Sequence, residues 1–375
     1  MKIVLAPDSF KGSLTATEAA ETMKRAILDV DKGHSVLMKP MADGGEGTLE
    51  VMLTSKKGKK VSINFTGASG DKIQTAYVIL DSNIAVIELA AIAGLVQVPM
   101  EKRNPDNTTT FGIGEVILDA LDKGCSSFII GLGGSATNDG GLGMLRALGM
   151  KAWDDKNKLL EGFGKDVQQV SRVSFKGLDP RIQEVEIKVA CDVDNPLTGR
   201  RGASAVFGPQ KGAKADQITT YDNALNHYGN LVEAEINKSI IDVAGAGAAG
   251  GAGFALLAIG AELVSGAKLL ADAMKLEEDI KQADLVITGE GQSDEQTLYG
   301  KAPGYVAHLA KQHGVPAVLL SGSLSGNLDN LNEEFSACFS IINKPLSLEQ
   351  SIEQAESLLY GQTKQVIHLI DRIKF

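Results

Sequence analysis

Cysteine is scarce in this chain. Its 375 residues hold three, Cys125, Cys191 and Cys338, far apart and with no CxxC pair. That excludes a disulfide scaffold and a cysteine zinc cluster, and reads as reduced, mostly buried thiols in a cytoplasmic protein. Long apolar runs are missing too. The longest, Phe254 to Leu263, contains Glu262 and is too short to span a bilayer. At the N-terminus, Asp8 interrupts the apolar run too early for a signal peptide. Basic charge is in deficit: 37 Lys and Arg against 47 Asp and Glu give a net charge of -10 and a pI near 5.1. Phosphate binding along a nucleic acid needs a basic face, so neither nucleic acid nor a membrane is expected as partner. A local cationic pocket for a small anion is compatible with this balance. Monomer and homodimer both stay open.

Several sharp motifs are absent. Gly58-Lys59, Gly164-Lys165 and Gly300-Lys301 are not followed by Ser or Thr, so there is no Walker A loop. There is no HRD or DFG set and no GxSxG elbow. The five histidines show no HExxH spacing, and His308 and His313 lie five apart, off the i,i+4 metal face.

What is present is ordinary globular composition, 43% hydrophobic and 22% charged, over a length that suggests two domains. Lys2 to Ala6 reads as a buried strand, then the loop "PDSFKGSL", then a helix capped by the box Thr15-Ala16-Thr17-Glu18. The unit repeats: strand Ser35 to Lys39, loop "PMADGGEGT", helix from Thr48. The same grammar returns near the end. "DLVITGEGQSDEQT" reads as strand then polar loop, followed by a helix from 303 to 313, strands in "PAVLLSGS" and "FSACFSI", and a long final helix capped at Ser347. Alternating strands and helices imply a parallel sheet.

The middle differs. Residues 60–66, 72–80 and 84–89 read as strands, the last two in hairpin geometry, with helices around 113–123, 141–148, 216–237 and 252–264. The expected fold is therefore α/β. A doubly wound parallel-sheet domain is built from both chain ends, 1–66 and 284–375, and a second α/β domain, 67–283, is inserted between them. "VAGAGAAGGAG", 243–253, reads as tight packing or as a phosphate cradle.

In open parallel sheets, ligands collect beyond the carboxyl ends of the strands. The loops there are alike: Asp8, Ser9 and Lys11; Asp43, Gly44, Gly45 and Glu46; Glu290, Gln292, Asp294, Thr297 and Lys301. "GLGGSATNDGGLG", 131–143, adds Gly133, Gly134, Ser135, Asn138 and Asp139. Glycine lets backbone N–H groups approach an anion, and helix N-termini favour negative charge. Carboxylates in the same loops fit a divalent cation shared with phosphates, and adjacent lysines can neutralise a transferring phosphoryl group. The mixture points to Mg-nucleotide phosphoryl transfer, although each loop alone is also ordinary turn and cap chemistry. "GLGGSA" also matches GxGxxA, with Asp154-Asp155 about twenty residues on, which leaves a nicotinamide-dependent dehydrogenase as a rival.

"LAPDSFKGSLTATEAA", "PMADGGEGT", "GLGGSATNDGG", "CDVDNPLTGRRGASAVFGPQKGA" and "DLVITGEGQSDEQTLYGKAP" together resemble the bacterial type I glycerate kinase family, in this order and nearly end to end. The resemblance implies a flavodoxin-like domain with a swivelling second domain. It also implies ATP- and Mg2+-dependent phosphorylation of D-glycerate, with 2-phosphoglycerate favoured over 3-phosphoglycerate. On that reading Asp192 and Asp8 are candidate bases, while Asp43, Glu46, Glu290 and Asp294 are candidates for Mg2+ or its water shell. Lys11, Lys211 and Lys301 would meet phosphates, with Gly133, Gly134, Gln292 and Thr297 beside them, and Arg200 or Arg201 would grip the substrate carboxylate. Glu88, Ser135, Asn138 and Asp139 complete the expected substrate contacts. A kinase of another small hydroxy acid and a non-catalytic metabolite-binding protein are the further alternatives.

Overall fold

The computed structural model describes residues 1–42, 47–48, 51, 58–81, 83–298 and 300–373. The chain divides into two compact units. One comprises Met1–Asp43, Glu50–Lys56 and Ser265–Phe375, and the other comprises Gly44–Leu49 and Lys57–Val264.

In the first unit, the apolar segment β1 (Lys2–Leu5) is buried on both faces, with Ile3, Val4 and Leu5 wholly covered, as a central parallel strand requires. It pairs in parallel with β2 (Ser35–Met38) on one side and, across nearly the whole sequence, with β11 (Leu285–Ser293) on the other. Beyond β11 lie β12 (Ala317–Leu324) and β13 (Ala337–Ser340), also parallel. The spatial order is β13-β12-β11-β1-β2. Counted within this unit it is 2-1-3-4-5, the flavodoxin-like order, with its switch point between β1 and β11.

The helix Ala16–Val30 begins where its sequence says it should. Thr15 Oγ1 accepts the Glu18 N–H at 3.2 Å, and Glu18 Oε2 accepts the Thr15 N–H at 2.9 Å. Its buried stripe, Ala19, Met23, Ala26 and Ile27, packs against the helix Ala355–Ile373. The Ser347 cap forms as expected, but the final helix is two: Leu348–Glu353 ends at Gln354 before Ala355 starts the second.

In the second unit, β3 (Gly58–Thr66), β4 (Lys72–Leu80) and β5 (Ile84–Glu88) form an antiparallel run. It continues in parallel through β6 (Ser127–Gly131), β9 (Glu186–Ala190) and β10 (Glu262–Val264). A separate antiparallel pair joins β7 (Lys151–Trp153) to β8 (Arg172–Ser174). The core of this unit holds Phe65, Tyr77, Ile87, Phe128, Ile130 and Phe254.

The unit limits lie ten and nineteen residues before the expected ones at 66 and 284, and the pairing explains both differences. β3 holds a nine-residue register with β4, so it belongs to the second sheet. The helices Gly266–Met274 and Leu276–Ile280 belong with the first unit, where Lys39 Nζ donates to the Met274 carbonyl and pairs with Asp279, both at 2.8 Å. Within Ala248–Ala258 the backbone is left-handed at Ala249, Gly250 and Gly251, so the regular helix starts at 252 as expected; it stops at Ala258, and its supposed end is β10, drawn into the ladder by β9. No helix among the described residues is long and apolar enough to cross a membrane.

Candidate active site

At the carboxyl ends of β1, β11 and β12 lies a cavity of about 510 Å3. Asp8 and Lys11 from the first loop border it, with Glu290, Gln292, Asp294 and Lys301 from β11 and the segment after it. This is the switch point, where neighbouring loops depart to opposite faces of the sheet and leave a crevice. The first loop crosses β11 closely: the Asp8 N–H donates to the Gly289 carbonyl at 2.8 Å. The floor is bare of side chains for a steric reason. A Cβ on Gly322 of β12 would come within 2.3 Å of the Gly291 carbonyl oxygen, so the two strands pass only because no side chain is there.

"GEGQS" is strand rather than loop, because β12 continues beside it through Gln292↔Ser323 and Ser293↔Leu324. On β11 Glu290 and Ser293 are buried, whereas Gln292 is exposed. A buried carboxylate needs partners, and Glu290 has them. Its Oε1 accepts the Thr297 hydroxyl at 2.7 Å and the Ser293 hydroxyl at 3.0 Å, and its Oε2 lies 3.4 Å from Lys301 Nζ. Thr297, expected at a phosphate, is wholly buried with its hydroxyl on Glu290. Sequence reasoning missed Ser293 and Ser321, whose hydroxyl oxygens lie 3.0 Å apart beneath Glu290. The pairing of Glu290 with Ser321 across β11 and β12 brings them together, and a single sequence carries no signal of that register.

Three carboxylates and two lysines in one cavity suit a hard cation bridging phosphate oxygens. Asp8, Glu290 and Asp294 could hold such a cation, and Lys11 and Lys301 could meet the phosphates. Asp43 and Glu46, the other expected metal residues, lie outside the described residues.

The remaining expected residues lie in the second unit. Glu88 ends β5, buried and opposite Gly131 of β6. Gly133 is half-buried and Gly134 exposed, while Ser135 is buried and bridges to Gly94. Asn138 is buried and donates to Ser204 Oγ at 3.0 Å. Asp192, Arg200 and Arg201 are exposed, and Arg201 is paired with Asp194 at 2.6 Å.

Asp139, expected to turn towards a ligand, instead binds its own chain. Its Oδ2 accepts the Thr110 N–H and hydroxyl at 2.8 and 2.7 Å and the Gly143 N–H at 3.2 Å. Its Oδ1 accepts the Gly141 N–H at 3.1 Å. Burial pushes the carboxyl upward, and these donors oppose the shift by favouring the charged form. The glycines around it answer to packing: a Cβ on Gly250 of "GAGAAGGAG" would sit 1.9 Å from the Thr137 carbonyl oxygen, so the two glycine-rich segments are pressed together. After β6 the chain runs irregularly for ten residues before the six-residue helix Leu142–Ala147, so a dinucleotide fingerprint's strand-turn-helix is not formed.

Lys211, expected at a phosphate, is buried and donates to the Thr137 carbonyl at 2.6 Å. Burial pushes its ammonium down from 10.5 to about 7, with Asp139 pulling the other way. Between those two values the unfolded chain holds more protons than the folded one, so this group makes stability rise with pH from about 7 towards 10.5. Lys211→Met is expected to remove that rise. In urea titrations at pH 7 and pH 9, the stability difference between the two pH values should be smaller in the variant by about 2 kcal/mol. Equal differences in both proteins would show that the ammonium is not held in a desolvated site.

The chain matches the model of the Glycerate kinase family over residues 3–371. It is similar to the Glycerate kinase of Halalkalibacterium halodurans, with 43% identity over 367 residues covering 97% of each chain. It is also similar to the Glycerate 2-kinase of Escherichia coli K12, with 43% identity over 358 residues, 95% of this chain and 94% of the other. Among solved structures it is similar to a crystal structure from Salmonella typhimurium LT2, provisionally assigned as glycerate kinase 2. The TM-score is 0.89 and the identity 42%, over 99% of this chain and 98% of that one.

Proposed function

The chain belongs to the glycerate kinase family and is a kinase, and from that premise we propose that it transfers the γ-phosphoryl group of Mg-ATP to the 2-hydroxyl of D-glycerate. The observation that carries the phosphoryl-transfer reading is the cavity at the β1–β11 switch point, where Asp8, Lys11, Glu290, Asp294 and Lys301 meet. The choice of the 2-hydroxyl follows the similarity to a relative named Glycerate 2-kinase.

The chemistry asks little covalent work of the protein. The substrate oxygen forms a bond to the γ-phosphorus, the bond from that phosphorus to the bridging oxygen breaks, and ADP leaves with the electron pair. Asp8 takes the hydroxyl proton as attack proceeds. Lys11 and Lys301 neutralise charge on the transferring group and its leaving oxygen. Glu290 and Asp294 are the carboxylates that would hold Mg2+, which would supply positive charge to offset that of the phosphates. The cavity volume of about 510 Å3 is within the range of small-molecule sites.

The test is to incubate the protein with D-glycerate and Mg-ATP, then add enolase alone. Phosphoenolpyruvate is the expected product, because enolase dehydrates 2-phosphoglycerate. ADP release that gives phosphoenolpyruvate only after a mutase is added would assign the 3-hydroxyl. No ADP with D-glycerate, but ADP with tartronate, would move the substrate to another hydroxy acid.

A further inference from the structure

The two oxygens of Glu290 are not equivalent. Oε1 is taken by two hydroxyls from behind, Thr297 at 2.7 Å and Ser293 at 3.0 Å, whereas Oε2 lies beside the cavity lysine, Lys301, at 3.4 Å. A carboxylate can only accept, so the Thr297 hydroxyl proton points at Oε1, and Ser293, whose one proton is shared between Oε1 and Ser321 Oγ, both at 3.0 Å, is the second donor. With its proton so committed, Thr297 Oγ1 uses a lone pair to accept the Asp294 N–H at 3.2 Å. One threonine therefore ties the side chain of one cavity carboxylate to the backbone of another. Thr297 and Ser293 are themselves wholly buried, and neither borders the cavity. The helix Ala302–Gln312, which follows Lys301, is pressed against the same residue: a Cβ on Gly304 would sit 2.1 Å from the Thr297 carbonyl oxygen.

We propose that Ser293 and Thr297 are positioning residues that clamp Oε1 of Glu290 and leave Oε2, beside Lys301, as the oxygen offered to the cation and phosphates of the bound nucleotide. The inference rests on the kinase reading of this cavity and adds to it two residues that touch no substrate. The clamp has a physical purpose. A glutamate free to turn about its last torsion would present either oxygen, and a hard cation demands fixed ligand geometry. Held from behind, the carboxylate is set before the nucleotide arrives, so no ordering cost falls on binding.

Thr297→Val keeps the shape and removes the hydroxyl, and Thr297→Ser restores it. The valine variant is expected to bind Mg-ADP tenfold or more weakly by calorimetry, and to need a several-fold higher Mg2+ concentration for half-maximal rate. The serine variant should stay within about threefold of wild type in both. The coupling is read from a cycle with Glu290→Gln: in that background, Thr297→Val should change Mg-ADP affinity by less than twofold, because the clamp has lost its object. Ser293→Ala gives the same readout from the other hydroxyl if the valine variant fails to fold. A valine variant that loses melting temperature but keeps wild-type Mg-ADP affinity and Mg2+ dependence would reduce the pair to structural support and overturn the proposal. The calorimetry stands apart from catalysis. Wild-type Mg-ADP binding with no glycerate turnover would count against the substrate reading while leaving the clamp to be judged on affinity.

Discussion

Asp8→Asn is expected to lower kcat by about two to four orders of magnitude, the usual contribution of a positioned general base, with the melting temperature nearly unchanged. Asp8 follows β1 at the switch point and borders the same cavity as Lys11, Glu290 and Lys301. Its Oδ1 accepts the Ser9 N–H at 2.6 Å, a contact that holds the carboxylate in place. Asparagine preserves the shape and that acceptor, so the backbone has no cause to move. Asp192, the other candidate from the sequence, belongs to the second unit, exposed beyond β9. With Asp8 as the base, Asp192→Asn is expected to keep kcat within about tenfold of wild type. Parallel steady-state assays decide between them: a collapse in the Asp192 variant with near-normal turnover in the Asp8 variant would transfer the base role to Asp192.

What could be read from the sequence follows the range of the interaction that fixes it. The caps at Thr15 and Ser347 were legible because a capping box lies within four residues, and both form as the residues dictate. The strands of the first unit were legible as apolar runs, and their parallel pairing followed from the helices between them. Their spatial order is non-local: β1 pairs with β11 across nearly the whole sequence, Ile3 with Leu285, and no periodicity records it. The same limit governs the site. The acidic and lysine-bearing loops could be named, and the cavity gathers Asp8, Lys11, Glu290, Gln292, Asp294 and Lys301. The direction in which a polar side chain turns could not be named. Thr297 faces a carboxylate, Lys211 a carbonyl, and Asp139 the starts of two helices, since each is buried and must satisfy its hydrogen bonds within the protein. Polar residues in glycine-rich loops read alike in sequence whether they serve a ligand or the fold.

Asp139 shows how large that second role can be. Its four hydrogen bonds join the start of the helix Phe111–Asp122, through Thr110, to the first turn of Leu142–Ala147, through Gly141 and Gly143. Neither helix has a side-chain cap at its own N-cap position, so one carboxylate serves both, where the helix dipoles favour negative charge. Thr110 Oγ1 extends the link by accepting the Met144 N–H at 2.9 Å while donating to Asp139 at 2.7 Å. Two effects compete when this carboxylate is removed. Burial disfavours its charge, so its loss relieves a desolvation cost. Against that, four buried donors lose their acceptor, at about 1–3 kcal/mol for each that finds no substitute. The donors prevail because three of them are backbone N–H groups fixed at helix starts, with no freedom to turn elsewhere. Asp139→Ala is expected to cost about 4 kcal/mol in urea unfolding. Asp139→Asn should cost roughly half as much, because its amide keeps one acceptor and turns a donor towards the others. The asparagine variant, assayed well below its unfolding midpoint, is expected to keep its KM for D-glycerate within about threefold. A variant with an unchanged midpoint and a KM raised a hundredfold would return Asp139 to the substrate, as the sequence had placed it.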